Sequence, residues 1–305
     1  MVVELAQKLE IKESDRYLEQ YCLNQIKAAP YTLQVIRSLN IIEKDPSLTA
    51  VKETDVYQLK RRLCLPCAAA TCINKLKGER IIGDEGGALR VGDFFKYVLP
   101  LHRAKGVIDP NTGKEFPKGW LVVTPKGDVY HHAIIAFAQA LGVTGKAVRN
   151  FESITEFSPI ITAGGTLAVS LDNRFVIEQT LKNNPELVAY GGNPNKVQPK
   201  ILTKTERGYD YREFQEGRHS VAVLDFFDNQ VILSDSFFLP QMQGNLLMKL
   251  DTKLVDHYLD YKTGGLSQGI IFSLDPEVER LISPQYLFPI AVPEDKVRII
   301  RKGLR

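Results

Sequence analysis

The spacing of apolar residues predicts helices in the first half of the chain. Up to about residue 50, Leu5, Leu9, Tyr17 and Tyr21 recur at mixed three- and four-residue spacings among charged residues. This period is that of an amphipathic helix. Three further helices are predicted, one that starts near Pro66 and ends near Gly78, and two over residues 91–101 and 131–142.

The pattern changes to that of β-strands later in the chain. An apolar strand is predicted at 164–172, behind a pair of glycines, and two strands over 219–237 flank Asp228-Asn229, a pair that favours a hairpin turn. The intervening segment 187–217 is polar and rich in glycine and proline, which predicts a long loop, either a lid or a disordered insertion. Helices followed by antiparallel strands indicate an α+β fold.

The composition is that of an ordinary soluble protein. The 305 residues suffice for one large domain or two modest ones, and 44% of them are hydrophobic. The net charge of 39 − 36 = +3 is too small to indicate nucleic-acid binding, although the basic tail 296–305 is a candidate patch for an acidic partner. The longest apolar run, 133–143, is far below the ~20 residues that span a bilayer. With no leader-like N-terminus, we expect a cytoplasmic protein without a membrane span.

Three of the four cysteines cluster around the start of the helix that contains Pro66. The spacing of Cys64 and Cys67 is one that zinc sites use, but a closed zinc site needs four ligands and the nearest histidine is His102. We therefore expect no metal and no cofactor. Cys67 and Cys72 lie among alanines on an apolar helix and are predicted to be buried core residues.

Cys64 differs from the other two because Pro66 marks the beginning of the helix. Proline is tolerated in the first turn, so Cys64 lies at or just before the helix N-terminus. There the helix dipole and free N–H groups stabilise a thiolate, and Arg61 and Arg62 can add to this effect. Cys64 is therefore a candidate nucleophile, which would need an oxyanion donor, a base and a group that orients the base.

Four short motifs follow one another between about residues 55 and 250. They are Gln58-x5-Cys64-Leu65-Pro66-Cys67-Ala68, 164-GGTLAVSLD-172, 217-GRHSVAV-223 and 231-VILSDS-236. Together they resemble the motifs of double-glycine (bacteriocin-processing) peptidase-like domains, which belong to the papain-like cysteine peptidase superfamily. The resemblance implies a papain-like α+β fold. In that fold, a helical lobe with the nucleophile helix packs on an antiparallel sheet that carries the histidine and the aspartate.

The resemblance also implies a role for each residue of the site. Cys64 would be the nucleophile, His219 the base, Asp235 the residue that orients the imidazole, and Gln58 the oxyanion donor. The family places the glutamine six residues before the nucleophile, which favours Cys64, because no glutamine stands six residues before Cys67. Without the resemblance, the favoured interpretation is that His219 only begins a strand.

Two positions depart from the family pattern. Leu65 replaces the glycine that follows the nucleophile, and Ser236 replaces the proline that follows the acid. The first departure bears on substrate choice, because a leucine side chain narrows the cleft or shifts the oxyanion peptide.

The pairing of the two late strands decides whether Asp235 reaches His219. With a two-residue turn at Asp228-Asn229, Asp235 pairs with Ala222, on the opposite face of the sheet from His219. A three-residue loop or a β-bulge pairs it with Val221 instead, on the same face as His219. The triad therefore requires an odd loop or a bulge.

We expect a cysteine peptidase or amidase that cleaves a peptide or amide bond through a thioester on Cys64. A transamidase or acyltransferase on the same fold and a non-catalytic peptide-binding domain are the alternatives. Residues 1–50 are predicted to be a helical N-terminal extension, 51–250 the peptidase domain, and 251–305 a C-terminal segment packed on it or appended to it. The expected partner is a peptide or protein substrate, whereas cleavage specificity and oligomeric state do not follow from the sequence.

Overall fold

The fold combines helices with an antiparallel β-sheet. The protein's structure is a computed structural model that describes residues 11–39, 62–102, 122–123, 129–172, 200–205, 208–213, 218–237, 247–259, 267–290 and 292–305. Within these ranges the α-helices are α1 (Gln25–Ser38), α2 (Cys64–Lys77), α3 (Val91–Val98), α4 (His131–Ala140), α5 (Ser158–Thr162), α6 (Thr252–His257) and α7 (Glu294–Leu304). Short 3-10 helices cover Glu13–Tyr21, Leu99–Leu101, Ile154–Phe157, Pro276–Leu281 and Pro284–Tyr286.

Six strands form the central sheet. The strands of the described chain are β1 (Ile82–Gly83), β2 (Leu89–Arg90), β3 (Thr144–Arg149), β4 (Thr166–Asp172), β5 (Lys200–Thr205), β6 (Gly208–Glu213), β7 (Arg218–Phe227), β8 (Gln230–Ser234), β9 (Leu247–Asp251) and β10 (Gln268–Ser273). The sheet has the order β3-β10-β4-β7-β8-β9, and every neighbouring pair in it is antiparallel. The mixed helical and antiparallel architecture confirms the α+β prediction.

Both faces of the central sheet are covered by apolar side chains. Successive strand residues point to opposite faces, so a sheet buried on both sides needs continuous apolar strands, and β4 and β7 have them. Ala168 and Ala222 belong to the core cluster under the helices. Val169 and Val221 belong to a second cluster, which includes Phe157 from the 3-10 helix on the opposite face. The strands that carry the site therefore form a rigid base for it.

Helix α2 packs on β4 and β7, and its first residue, Cys64, lies beside the start of β7. Its small apolar side chains allow this close packing, and Cys67 and Cys72 are fully buried, as predicted. The helix ends at Gly78, whose φ of 70° places it in the left-handed conformation that favours glycine after a helix. The boundaries predicted for this helix from Pro66 and Gly78 are confirmed.

Helix α1 packs against α3, within the same core as α2. The Asn24 side chain caps its first turn by accepting the Ile26 N–H at 2.9 Å. The Tyr31 hydroxyl donates to Asp93 at 2.7 Å and joins the two helices. Helices were predicted in this region, whereas the boundary between an extension and a peptidase domain near residue 50 stays a prediction and lies outside the described residues.

The prediction of a loop at 187–217 was wrong, because within the described part of this segment β5 and β6 pair as antiparallel strands. The basic tail, for which no secondary structure was predicted, forms α7, whose Val297 and Ile300 are buried. Helix α7 packs on α4, because these two apolar residues are one turn apart on the same helix face. The role of the basic tail as a patch for an acidic partner stays a prediction.

None of the helices in the described ranges combines the length and the apolar character needed to cross a membrane.

Candidate active site

Cys64 is the first residue of α2, with a partly exposed side chain. The first intrahelical hydrogen bond after it joins the Cys67 N–H to the Leu63 carbonyl at 2.9 Å. The N–H of Cys64 therefore has no partner within the helix, as is true of the first residues of any α-helix. The predicted position of the thiol at a helix N-terminus is confirmed.

His219 and Asp235 form a buried pair beside this thiol. His219 is the second residue of β7, and Asp235 follows the last residue of β8. The His219 Nε2 atom lies 2.6 Å from Asp235 Oδ1, and the two residues are only 5% and 6% exposed. Because Nε2 is used by the carboxylate, Nδ1 is the ring nitrogen left for the Cys64 thiol, which hydrogen-bonds to His219.

A β-bulge in β7 puts Asp235 on the same side of the sheet as His219. The turn has two residues, since Phe227 pairs with Gln230. The register then shifts between Val223 and Asp225, so that Ala222 pairs with Ser234. The next position, Asp235, therefore lies opposite Val221. The structure thus has the bulge that the triad required.

Asp235 is held in place by the chain that follows it. Its Oδ1 atom also accepts the Phe237 N–H at 2.8 Å, and the Phe237 ring lies edge-on to His219 with 6.4 Å between ring centroids. The neighbouring Ser236 hydroxyl donates to Gln25 Oε1 at 2.7 Å, and the Gln25 N–H donates to the Ser236 carbonyl at 2.9 Å. The start of α1 therefore anchors the segment that carries the acid.

The surroundings of Cys64 favour the thiolate. Burial alone would raise the pKa of the Cys64 thiol, but a hydrogen bond from His219 and the charge of the imidazolium oppose it, and both the N–H and the hydroxyl of Ser220 donate to the sulfur. The result is a thiol pKa below its ordinary value. Ser220 was not predicted from the sequence. The only sequence feature that pointed to it was its position next to His219.

The surroundings of His219 favour the imidazolium. Burial would lower the pKa of His219, but the charge and the hydrogen bond of Asp235, with a further contribution from Cys64, raise it to about 10. The two shifts have opposite directions, so together they favour a thiolate beside an imidazolium. In contrast, burial and the nearby Arg218 lower the pKa of His131 to about 4, so that this histidine is neutral.

The surroundings of the other three cysteines favour the neutral thiol. Burial raises the pKa of Cys22 to about 11 and that of Cys72 to about 12, and it holds the pKa of Cys67 well above its ordinary value. All four cysteines are free thiols, and the described residues contain no cluster of three or more metal-ligating side chains. Cys64 alone among the four has an environment that favours the charged, nucleophilic form.

The remaining predicted residues fall into two groups. Gln58 lies outside the described residues, so its role stays a prediction. Two other aspartates lie on the same hairpin: Asp228 is at the turn with a φ of 52°, and Asp225, farther along β7, accepts the N–H of Phe226 at 2.8 Å. Leu65, directly after the thiol, is partly buried and packs against the core.

Comparison with known proteins gives little guidance. No protein-family model matches the chain, and no curated protein matches it significantly. Among solved structures, the chain is similar to a crystal structure of a suggested C39-like peptidase from Bacillus anthracis, at 15% identity. The similarity covers 69% of this chain and 88% of that chain with a TM-score of 0.34, which is too low to support an argument about fold or function.

Proposed function

We propose that this chain is a cysteine peptidase or amidase of papain-like fold, which cleaves a peptide or amide bond through a thioester on Cys64. The observation that carries the proposal is the hydrogen-bonded chain Cys64–His219–Asp235, with 2.6 Å between His219 Nε2 and Asp235 Oδ1. A nucleophile that contacts a base, with the base oriented by a carboxylate, is the arrangement that acyl transfer requires.

In the first step, the Cys64 thiolate attacks the carbonyl carbon of the scissile bond. The negative charge that develops on the carbonyl oxygen would be stabilised by the Cys64 N–H, which is directed from the start of α2, and by Gln58. The imidazolium of His219 then gives its proton to the leaving amine as the carbon–nitrogen bond breaks. The products of this step are the free amine and an acyl group joined to the Cys64 sulfur.

In the second step, water resolves the thioester. Neutral His219 takes a proton from the water as the oxygen attacks the acyl carbon, and the thiolate leaves. Asp235 holds the imidazole in one orientation and stabilises its positive form in both steps. The imidazolium and thiolate are regenerated together, so the site returns to its starting charge state.

The first experiment measures alkylation of Cys64 by iodoacetamide. At about pH 6 an ordinary thiol reacts poorly, whereas a thiolate that is paired with an imidazolium reacts fast. We expect fast alkylation of the native chain, slowed by at least about tenfold in His219→Ala because the thiol then regains an ordinary pKa. Mass spectrometry locates the modified residue, and Cys67→Ala is the matched control one helical turn away.

The second experiment tests acyl transfer itself with p-nitrophenyl acetate. We expect a burst of p-nitrophenolate equal to the amount of protein, an acetyl group on Cys64, and no burst in Cys64→Ala. A burst that persists in Cys64→Ala, or a native Cys64 that is slow and indifferent to His219→Ala, would refute the proposal. Fast alkylation without any acylation would instead favour the non-catalytic peptide-binding domain.

A further inference from the structure

The side chain of Lys75 links the nucleophile helix to the bulge in β7. Lys75 lies in the last turn of α2, and its Nζ atom donates to the carbonyl of Leu224. Leu224 is the extra residue of the bulge, since Val223 pairs with Leu233 and Asp225 pairs with Ile232 on β8. A bulge interrupts the hydrogen-bond ladder, and the lysine supplies a donor at the interruption.

The two points at which α2 contacts β7 are about equally far apart along the helix and along the strand. From Cys64 to Lys75 the helix advances 75 − 64 = 11 residues, or about 16 Å at 1.5 Å per residue. From His219 to Leu224 the strand advances 224 − 219 = 5 residues, or about 16 Å at 3.3 Å per residue. The helix therefore runs alongside β7 in the same direction, fixed to it by the thiol at one end and by Lys75 at the other.

The bulge matters to the site because it sets the register of Asp235. A regular hairpin with the same two-residue turn would place Asp235 opposite Ala222, on the face of Ser220. With Leu224 as the extra residue, Asp235 lies opposite Val221 and on the side of His219. Any group that stabilises the bulge therefore favours the arrangement in which the acid reaches the base.

Partial burial of the Lys75 ammonium group costs free energy unless an opposite charge lies nearby. Burial lowers the pKa of Lys75, and the nearby Asp225 carboxylate opposes that effect, with a smaller contribution from Cys72. Asp225 is the residue that follows the bulge, so carbonyl and carboxylate come from adjacent positions of β7. The lysine thus contacts the bulge through a hydrogen bond and a charge at once.

We propose that Lys75 is a positioning residue for the triad: it ties the helix that carries Cys64 to the bulge that places Asp235 beside His219. This inference rests on the proposed function, because it concerns the same three reacting residues. Lys75 touches neither the thiol nor the imidazole and acts through Leu224.

The test compares Lys75→Met, which removes the donor and keeps the apolar stem, with Lys75→Arg, which keeps a donor and a charge. The matched control is Lys77→Met, two residues farther along α2. The readouts are the pH profile of Cys64 alkylation and the pKa of His219 by NMR. In Lys75→Met we expect a lower His219 pKa and alkylation at about pH 6 reduced about fivefold, the effect of a shift of somewhat less than one pKa unit. Lys75→Arg and Lys77→Met should behave as the native chain.

The outcomes separate the inference from the proposed function. An unchanged alkylation profile and His219 pKa in Lys75→Met overturn the inference, even if the variant is less stable to urea. If Lys75→Met does not fold, Lys75→Gln takes its place, and a native-like profile in that variant overturns the inference in the same way. If the native chain itself fails the His219→Ala comparison, the proposed function fails, whatever the Lys75 variants do.

Discussion

His219 and Asp235 meet through a single carboxylate oxygen, which is shared with the backbone. Asp235 Oδ1 lies 2.6 Å from His219 Nε2 and accepts the Phe237 N–H at 2.8 Å. Two donors therefore converge on one atom, which fixes the rotamer of the acid before it acts on the imidazole. The Asp235 carboxylate supplies both a negative charge and a fixed orientation toward His219, and different substitutions can remove these two properties separately.

Substitution of Asp235 should have a graded effect. Asp235→Asn keeps an oxygen that can accept hydrogen bonds but loses the charge that most strongly opposes the effect of burial on His219. We expect the pKa of His219 to fall and alkylation of Cys64 at about pH 6 to slow about tenfold, as for a one-unit change in pKa. Asp235→Ala should be slower still, because orientation is lost as well.

Asp228→Asn provides the control for Asp235→Asn. Asp228 is at the turn between β7 and β8 with a φ of 52°, a conformation that asparagine tolerates. The Asp228→Asn substitution removes one negative charge from the same hairpin and leaves Cys64, His219 and Asp235 unchanged. Equal alkylation rates in Asp228→Asn and Asp235→Asn would contradict the role proposed for Asp235.

The pH dependence of acylation should be bell-shaped. The rate should rise with pH as the Cys64 thiol ionises, at a pH below that of an ordinary cysteine. It should fall near pH 10, because the raised pKa of His219, about 10, means that its proton is available to the leaving group below that pH and lost above it. Stopped-flow acylation by an amide substrate measures both limbs, which belong to the coupled pair.

Alkylation of the same protein distinguishes the two limbs. A thiolate reacts with iodoacetamide without proton donation, so alkylation should show the acid limb and lack the alkaline one. A single rise centred at an ordinary thiol pKa, about 8.5, would be inconsistent with an imidazolium partner.

Ser220→Ala should weaken the thiolate without removing the base. The Ser220 hydroxyl and N–H both donate to the Cys64 sulfur, and only the hydroxyl is lost. We expect the pKa of the thiol to rise and alkylation at about pH 6 to slow about threefold, less than the effect of one pKa unit. Ser170→Ala is the control, since Ser170 is the buried serine directly opposite Ser220 on β4. The same slowing in both variants would show an effect of sheet packing rather than of the hydroxyl.

Gly92→Ala should destabilise the contact between α1 and α3. A Cβ atom at residue 92 would lie 2.7 Å from the Tyr31 ring and 3.0 Å from the Cα of Thr32. Because both belong to the packed core, we expect the free energy of unfolding to fall by about 1–3 kcal/mol, measured in urea. Gly86→Ala, where a Cβ would meet nothing within 4 Å, should leave it nearly unchanged. If both variants unfold at the same urea concentration, α1 is not packed on α3 as described.

Local sequence signals predicted the elements that position the site. Pro66 and Gly78 bound α2, and Asp228-Asn229 forms the predicted hairpin turn between β7 and β8. These signals are reliable because a proline in the first turn, a glycine after the last turn and a tight two-residue turn each satisfy local backbone demands. The predicted triad required an odd loop or a bulge, but the sequence did not show which of the two occurs, nor that Leu224 is the extra residue.

Two of the strands that sequence analysis missed, β3 and β10, depend on distant partners. β3 pairs with β10 across more than a hundred residues, and both contain a glycine that weakens the strand pattern. Lys146 in β3 is exposed, which shortens the apolar run still further. Such pairing is decided by tertiary contacts rather than by propensity. Ser220 was missed for a related reason, since its contact with Cys64 depends on how α2 packs on β7.

The pairing of Asp172 with Arg218 has a consequence for how this chain can diversify. Residues 173–217 connect Asp172, at the end of β4, with Arg218, at the start of β7, and these two positions are direct partners. Because the ends are already together, doubling the length of this excursion would cost only about 0.6 kcal/mol of closure entropy. The whole segment can therefore be lengthened, shortened or exchanged next to His219 while the strand register stays the same. Sequence changes in this segment can therefore alter the surroundings of His219 while Cys64, His219 and Asp235 stay the same.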